Sequence, residues 1–399
     1  MLSRLNLDKT YQYLLIFLGF LLPLTVFGAN FVIVIICCIW LLSGNYKTKL
    51  NLIFSSKLML ASLLFFGLHV VGMLWTEDLK WGFHIIHKMW YFFLLWPILF
   101  TLVKKDYIKF YVGAFLLAIT FTEILSYLVW FEIIPEFRHA KIWNPTPFMS
   151  HISYNPILAF AIYLISHQVL FQDKLSKLKR YIYFSLAITM TINMFITGGR
   201  AGHVMYFVML SILIFQYFNY KKIKSLILIM IVIPSVFYTA YQSSDIFNER
   251  VDMAVENTLN YSENKGSSVG RRITWAINSW DIIKKNLIIG VGTGDLPSEY
   301  QKINQINSPG LPNINNPHNM YTLVLIQLGL LGFFSLASIF YYQIKLSFRS
   351  SDKYIRDIGI TLPVLFLVIM FSDSYLLGHF TSLLFIFFSS FLYKDFEKT

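Results

Sequence analysis

Ser225-Leu-Ile-Leu-Ile-Met-Ile-Val-Ile-Pro-Ser-Val-Phe-Tyr-Thr-Ala-Tyr241 carries no charge, and directly behind it residues 242–318 turn polar. An apolar run of about 17–25 residues is what a helix needs to cross a bilayer. In a membrane protein, irregular polar backbone survives only outside the hydrocarbon or where protein buries it. A long polar connection between such runs is where function concentrates. Residues 242–318 are therefore expected to meet the substrate, while the rest of the chain holds them at the membrane surface.

The same apolar pattern repeats along the chain. Expected spans are 12–27, 29–42, 58–75, 84–101, 107–131, 151–170, 181–198, 203–218, 225–241, 319–341, 358–376 and 379–393. The first two are short and meet around Gly28-Ala29-Asn30, as a tight hairpin or one long element. The fold class is all-α, a single polytopic membrane domain over 1–399 with about twelve crossings. One large loop, 242–318, facing the periplasm or cell exterior, lies between spans nine and ten. Composition agrees: 56% of the 399 residues are apolar and 14% charged, against roughly 45–50% and about 25% for soluble domains. The mean hydropathy is +0.58.

The net charge of +12 does not imply nucleic acid, because of where the charges lie. Lys47/Lys49, Lys104/Lys105/Lys109, Lys174 to Arg180, Lys221/Lys222/Lys224 and Lys345 to Arg356 all sit in short connections between apolar runs. Such clusters orient spans with the basic loops inside. Both termini are then cytoplasmic and 242–318 faces outward. Arg4 and Lys9 precede the first apolar run without a small-residue cleavage site, which reads as an uncleaved first span. Cys37 and Cys38 are adjacent and belong to no metal or redox spacing.

Four polar segments stand out. Asn316-Pro317-His318-Asn319-Met320-Tyr321 closes the long loop, and Pro317 favours a helix start there. That places His318 at the positive end of a helix dipole, which favours a neutral ring able to accept a proton. A histidine bonded to loop backbone at a helix start is the plainer alternative. Gly270-Arg271-Arg272-Ile273-Thr274-Trp275 presents guanidinium forks suited to phosphate oxygens. It opens an amphipathic stretch (Ile273, Ile277, Trp280, Ile283) that suits the interface; a solvated basic face near membrane lipids is the alternative.

Gly290-Val291-Gly292-Thr293-Gly294 lacks the setting of a nucleotide fingerprint. It reads as a turn that lets backbone approach a ligand or simply reverses the chain. Thr197-Gly198-Gly199-Arg200-Ala201-Gly202-His203 joins two spans at the outer surface, so Arg200 sits near the bilayer boundary, where an ionisable residue is a functional candidate. Glu77, Asp78, His84, His151, Asp373 and His379 are further outward-side candidates, each read singly as structural. No metal-ligand spacing is present, and no cofactor is implied.

Arg271 and Trp275, the run Asn286 to Gly294, Pro317-His318-Asn319 with Tyr321, and Leu-Gly-Leu-Leu-Gly at 328–332 come in this order. Together they resemble the O-antigen ligase and polymerase superfamily. Thr197-Gly198-Gly199-Arg200 resembles that family's Ser/Thr-x-x-Arg segment, in place of its commoner Ser-Arg form. Trp75-Thr76-Glu77, Lys88 and Leu95-Trp96-Pro97 resemble its fourth-span region. The tandem Arg271-Arg272 leaves the register open by one.

The resemblance implies a glycosyltransferase of the bacterial inner membrane. It would move an oligosaccharide or polysaccharide from undecaprenyl diphosphate to an acceptor hydroxyl on the periplasmic face, without metal and with inversion. Arg200 and Arg271, with Arg272 as the alternative register, would bind diphosphate, and His318 would be the general base. The acceptor would be a lipid A-core sugar for a ligase, or the lipid-linked glycan for a polymerase. The twelve-span layout with one late loop favours the ligase. A solute transporter is the reading from another class, and the one-sided placement of the unusual residues weighs against it.

Overall fold

The computed structural model describes residues 4–261 and 263–396. α1 (Arg4–Leu21) and α2 (Val26–Leu42) are separate helices. The break falls at 22–25, earlier than the expected junction at 28–30. Pro23 cannot continue a helix, and the Gly28 amide donates to Thr25 Oγ1 at the start of α2. α3 (Tyr46–Ser55) is bent 116° from α2. α4 (Lys57–Gly72) follows, then α5 (Leu79–Trp90) and α6 (Trp96–Leu102), which one widened turn at Tyr91–Leu95 joins into a continuous run.

Next come α7 (Ile108–Trp130) and a two-residue hairpin, β1 (Ala140–Lys141) with β2 (Asn144–Pro145), antiparallel with Ala140 opposite Pro145. α8 (His151–Phe171), α9 (Lys177–Phe195), α10 (Arg200–Tyr217) and α11 (Lys222–Ser243) succeed it. The expected loop holds three helices of its own: α12 (Asp245–Leu259), α13 (Ser268–Lys285) and α14 (Leu296–Asn307). α15 (Met320–Arg349), α16 (Lys353–Ile369) and α17 (His379–Leu392) close the chain.

The architecture is that of an all-helical polytopic membrane protein. Among the described residues, six helical runs are long and apolar enough to cross a bilayer, or seven if the bent α2–α3 pair is one span. α11 shows why lipid is the solvent. Ile223, Met230 and Ile231 are 76%, 66% and 59% exposed, a density of bare apolar side chains that water does not tolerate in a monomer.

The chain forms two compact units, one of 1–36 and 104–252, the other of 37–103 and 253–399. In the first, α8 packs against α9 and α10, and α1 against α7. A buried polar chain ties the first unit together: Asn193 Nδ2 donates to Ser126 Oγ (2.8 Å) and Tyr154 OH to Asn193 Oδ1 (2.8 Å). In the second, α15 packs on α4, α13 and α16, and α17 on α6 and α16.

α15 is broken at Gly329, where φ is 58° and ψ −153°. The segment 287–293 lies along this break. Val291 N donates to Ile326 O (2.8 Å), Gly292 N to Gln327 O (3.0 Å) and Leu330 N to Leu287 O (2.9 Å). Backbone groups freed by the break are thus paired within the protein, as membrane depth demands.

Candidate functional site

Residues 316–321 and 370–375 meet in the second unit because the start of α15 is tied to the end of α16. Met320 N donates to Met370 O (2.9 Å), Tyr321 OH to Leu367 O (2.6 Å) and Asn319 Nδ2 to Phe371 O (3.3 Å). Asn319 is the N-cap of α15, its Oδ1 accepting from Thr322 N (3.0 Å). The helix therefore starts after His318, not at Pro317, because the asparagine side chain satisfies the first free amide. His318 is held just before the helix with φ at +51°, a conformation uncommon for a residue with a side chain. Its amide is fixed by Asn316 Oδ1 (3.0 Å).

The ring of His318 bonds a carboxylate rather than loop backbone. Nδ1 lies 3.2 Å from Asp373 Oδ1. A carboxylate only accepts, so the proton of a neutral imidazole belongs on Nδ1 and the lone pair on Nε2. Asp373 Oδ1 also accepts from Ser374 N (2.7 Å) and Asn316 Nδ2 (3.2 Å). Burial works to raise the Asp373 carboxyl. The hydrogen bond and charge of His318, the Ser374 amide and Asn316 outweigh it and hold the group below the usual carboxylate range. Ser374 Oγ donates to Asn316 Oδ1 (2.8 Å), which locks the amide's orientation.

The other wall is α13. Ser267 caps it, its Oγ accepting from Gly270 N (3.0 Å). Arg271 and Trp275 are one turn apart and so share a face. The Trp275 indole stacks on His318, with centroids 4.9 Å apart and planes 24° from parallel. Arg271 Nε and Trp275 Nε1 are both buried without a hydrogen-bond partner. Arg272 is exposed, and its charge reaches Tyr375, whose phenol is pushed up to about 12, chiefly by burial. The first turn of α13 holds no acid and ends on Arg271, with Arg272 next. Cations there oppose the helix dipole by about 0.3–1 kcal/mol each, a cost that a bound anion would offset.

α13 is seated through a polar interior face. Asn278 Nδ2 donates to Tyr300 OH (3.1 Å) and Ser308 Oγ (2.9 Å), and Asn307 Nδ2 to Asp281 Oδ2 (2.9 Å). The expected apolar stripe is divided: Ile283 is buried, whereas Ile277 and Trp280 are 50% and 53% exposed.

The glycine motif approaches protein backbone. Gly290 and Gly292 have φ of +71° and +117°. A Cβ on Gly290 would collide with the Gln327–Leu328 peptide, one on Gly292 with Thr76, and one on Gly294 with Asp78 O. Gln327 Nε2 donates to Thr293 O (2.7 Å) and Thr293 Oγ1 to His69 O (2.6 Å). These residues fix the chain that carries α13 and α14.

The second unit thus brings His318, Arg271 and Trp275 together and adds Asp373, Asn316 and Ser374. Arg200 belongs to the first unit, at the start of α10. Other candidates serve the fold. Asp78 caps α5, its Oδ1 accepting from Trp81 N (2.9 Å); His379 Nδ1 meets Tyr91 OH (2.5 Å); His203 Nε2 meets Met194 O and Thr197 O (both 2.9 Å). Glu77 contributes its amide, which donates to Asp295 Oδ2 (2.9 Å).

Residues 185–337 match the family model described as O-antigen ligase. The match takes in Arg200, Arg271, Arg272, the glycine motif and His318, and ends before Asp373. Comparison with curated proteins finds no match.

Proposed function

We propose, from the match of residues 185–337 to the O-antigen ligase family model, that the chain is a membrane glycosyltransferase of the O-antigen ligase and polymerase superfamily, which transfers a glycan from undecaprenyl diphosphate to an acceptor hydroxyl at the outer face of the bacterial inner membrane. The observation that carries this reading is the pairing of His318 with Asp373 beside the orphaned donors of Arg271 and Trp275. A buried donor without a protein partner is uncommon, and a bound anion facing this wall would satisfy both.

The reaction follows from these groups. His318 Nε2 takes the proton of the acceptor hydroxyl as its oxygen bonds to the anomeric carbon. The bond from that carbon to the diphosphate oxygen breaks, and the lipid diphosphate leaves with the electron pair. Attack opposite the leaving group inverts the configuration. Arg271 neutralises charge growing on the diphosphate, where electrostatic stabilisation is worth most. Asp373 keeps the proton on Nδ1 and steadies the imidazolium that forms. General-base help of this kind is typically worth about 10²–10⁴ in rate. No bound metal enters this scheme.

The acceptor we propose is a lipid A-core sugar, with twelve crossings, 242–318 periplasmic and both termini cytoplasmic. Extension of a lipid-linked glycan is the alternative within the same chemistry. The test offers purified protein one labelled undecaprenyl diphosphate glycan with either a lipid A-core acceptor or a second lipid-linked glycan. Product on the first acceptor alone, with inverted anomeric configuration, is expected. Product on the second alone makes the protein a polymerase, and retained configuration overturns the mechanism.

A further inference from the structure

For most of its length α13 is inverted for a helix that meets water. A surface helix ordinarily turns its apolar stripe to the core and its polar side to solvent. Here Thr274, Asn278 and Ser279 are buried, and Ile282 and Ile283 join them only near the end. The opposite side carries Ile273, half-buried, then Ile277 and Trp280, both exposed, and ends on Lys284. Steps of four, three and four residues keep these positions on one line along the helix. Two residues are about 200° around a helix, so Arg271 and Trp275 lie across it from Ile273 and Ile277.

The apolar line continues past the helix. Leu287, Ile288 and Ile289 follow it and are exposed as well. Leu330 N donates to Leu287 O (2.9 Å) and Leu331 N to Ile288 O (3.3 Å), which fixes this segment on α15, one of the helices long and apolar enough to cross a bilayer. From that point α15 shows an exposed line of its own, Leu331, Phe334 and Tyr341, which the bilayer covers. Ile288 and Leu331 are bonded neighbours, so lipid that covers the second reaches the first. The apolar surface passes without a gap from the side of a span to the exposed side of α13.

Charge points to the same occupant. α13 carries Arg271, Arg272, Lys284 and Lys285 against one acid, Asp281, which Lys284 meets at 2.8 Å. An aliphatic and aromatic line on a basic helix is the pattern of helices that lie in a membrane interface and are drawn to anionic lipid. Tryptophan is enriched at that depth. On a face that met water, a contiguous apolar surface of this kind would be uncommon.

We propose that α13 is an interfacial helix: Ile273, Ile277 and Trp280, continued by Leu287 to Ile289, are immersed in the phospholipid leaflet that covers Leu331 and Phe334. Their surroundings are headgroups and the first carbons of the acyl chains. Arg271 and Trp275, across the helix, then face the protein at headgroup depth. The occupant is bulk phospholipid, so the inference holds whichever reaction the site performs.

The test uses the full-length protein with Cys37→Ser and Cys38→Ser, reconstituted in vesicles of phosphatidylethanolamine and phosphatidylglycerol. A nitroxide is attached at Ile277→Cys, at Trp280→Cys and, as the aqueous reference, at Lys265→Cys. Oxygen concentrates in lipid and a nickel chelate in water. Labels at 277 and 280 should relax several-fold more with oxygen than with the chelate, and the label at 265 the reverse. Chelate access at 277 and 280 equal to that at 265 overturns the proposal, because water then covers this face. Low access to both probes overturns it too, because protein, such as a second copy of this chain, then covers it.

A second measurement needs no label. Trp280→Phe keeps an apolar ring, and the fluorescence lost between wild type and this variant isolates Trp280 among nine tryptophans. Phospholipid brominated near the head of its chains should quench that share, and aqueous iodide should spare it. Quenching by iodide without quenching by the brominated lipid overturns the proposal.

Discussion

The indole of Trp275 lies over the imidazole of His318, ring centroids 4.9 Å apart and planes 24° from parallel. One contact thus joins the helix carrying Arg271 to the residue that closes the loop. The stack leaves the ring edges free, so Nδ1 reaches Asp373 while Nε2 stays available. An aromatic pair is worth about 0.5–1.5 kcal/mol beyond its buried area. Trp275→Ala should therefore slow transfer more than Trp275→Phe, which keeps a ring over His318. Initial rates of both variants, taken with their melting temperatures, check the ordering.

Asp373→Asn keeps the shape of the side chain and removes its charge. An amide can donate to Nδ1 as well as accept from it, so the ring loses its fixed tautomer and the imidazolium loses its partner. Transfer should fall roughly tenfold or more, within the span of general-base contributions, while donor binding is retained. An undiminished rate would leave Asp373 a purely structural residue.

The same carboxylate makes an acid-side stability prediction. Its folded-state value is held below the ordinary one by His318, Ser374 N and Asn316 against the opposing pull of burial. A carboxyl lowered by folding contributes stability that is present above its unfolded value and is lost as pH falls through the folded one. Wild type should lose more stability than Asp373→Asn as pH drops below the ordinary carboxylate range. Melting temperatures across that range decide it.

Arg271→Lys retains charge and loses the two-pronged fork. Because Arg271 Nε is buried and unpartnered while Arg272 is exposed, Arg271→Lys should lose most transfer and Arg272→Lys much less. The reverse ordering would move the phosphate contact to Arg272. Silence of both would make the pair a solvated face.

Reporter fusions test the orientation on which the reaction depends. Residue 265 should report outside, and residues 176 and 222 inside. A cytoplasmic signal at 265 would put His318 and the proposed substrate on opposite sides of the membrane.

Local strings carried much of this site in the sequence. Arg271 and Trp275 are one helical turn apart, and His318 sits at the edge of an apolar run, so both can be read without a structure. Asp373 cannot. It is a lone acid in a short turn, brought to His318 by ties such as that of Met320 N to Met370 O. The buried face of α13 was hidden for a related reason. α13 buries Thr274, Asn278 and Ser279 and leaves Ile277 and Trp280 exposed, so its pattern does not mark the buried face. The break in α15 is equally silent, since Gly329 lies in an unbroken apolar run. It shows only when Leu287 O accepts from Leu330 N.

The most direct test of the account is the rate and donor affinity of His318→Asn, measured with purified undecaprenyl diphosphate glycan and acceptor in the presence of chelator. Asparagine keeps a polar side chain at this position but cannot take the acceptor's proton near neutral pH. Wild type should be indifferent to chelator, and His318→Asn should bind donor normally and transfer at least roughly a hundredfold more slowly, the lower end for loss of a general base. Near-normal turnover by His318→Asn would contradict it.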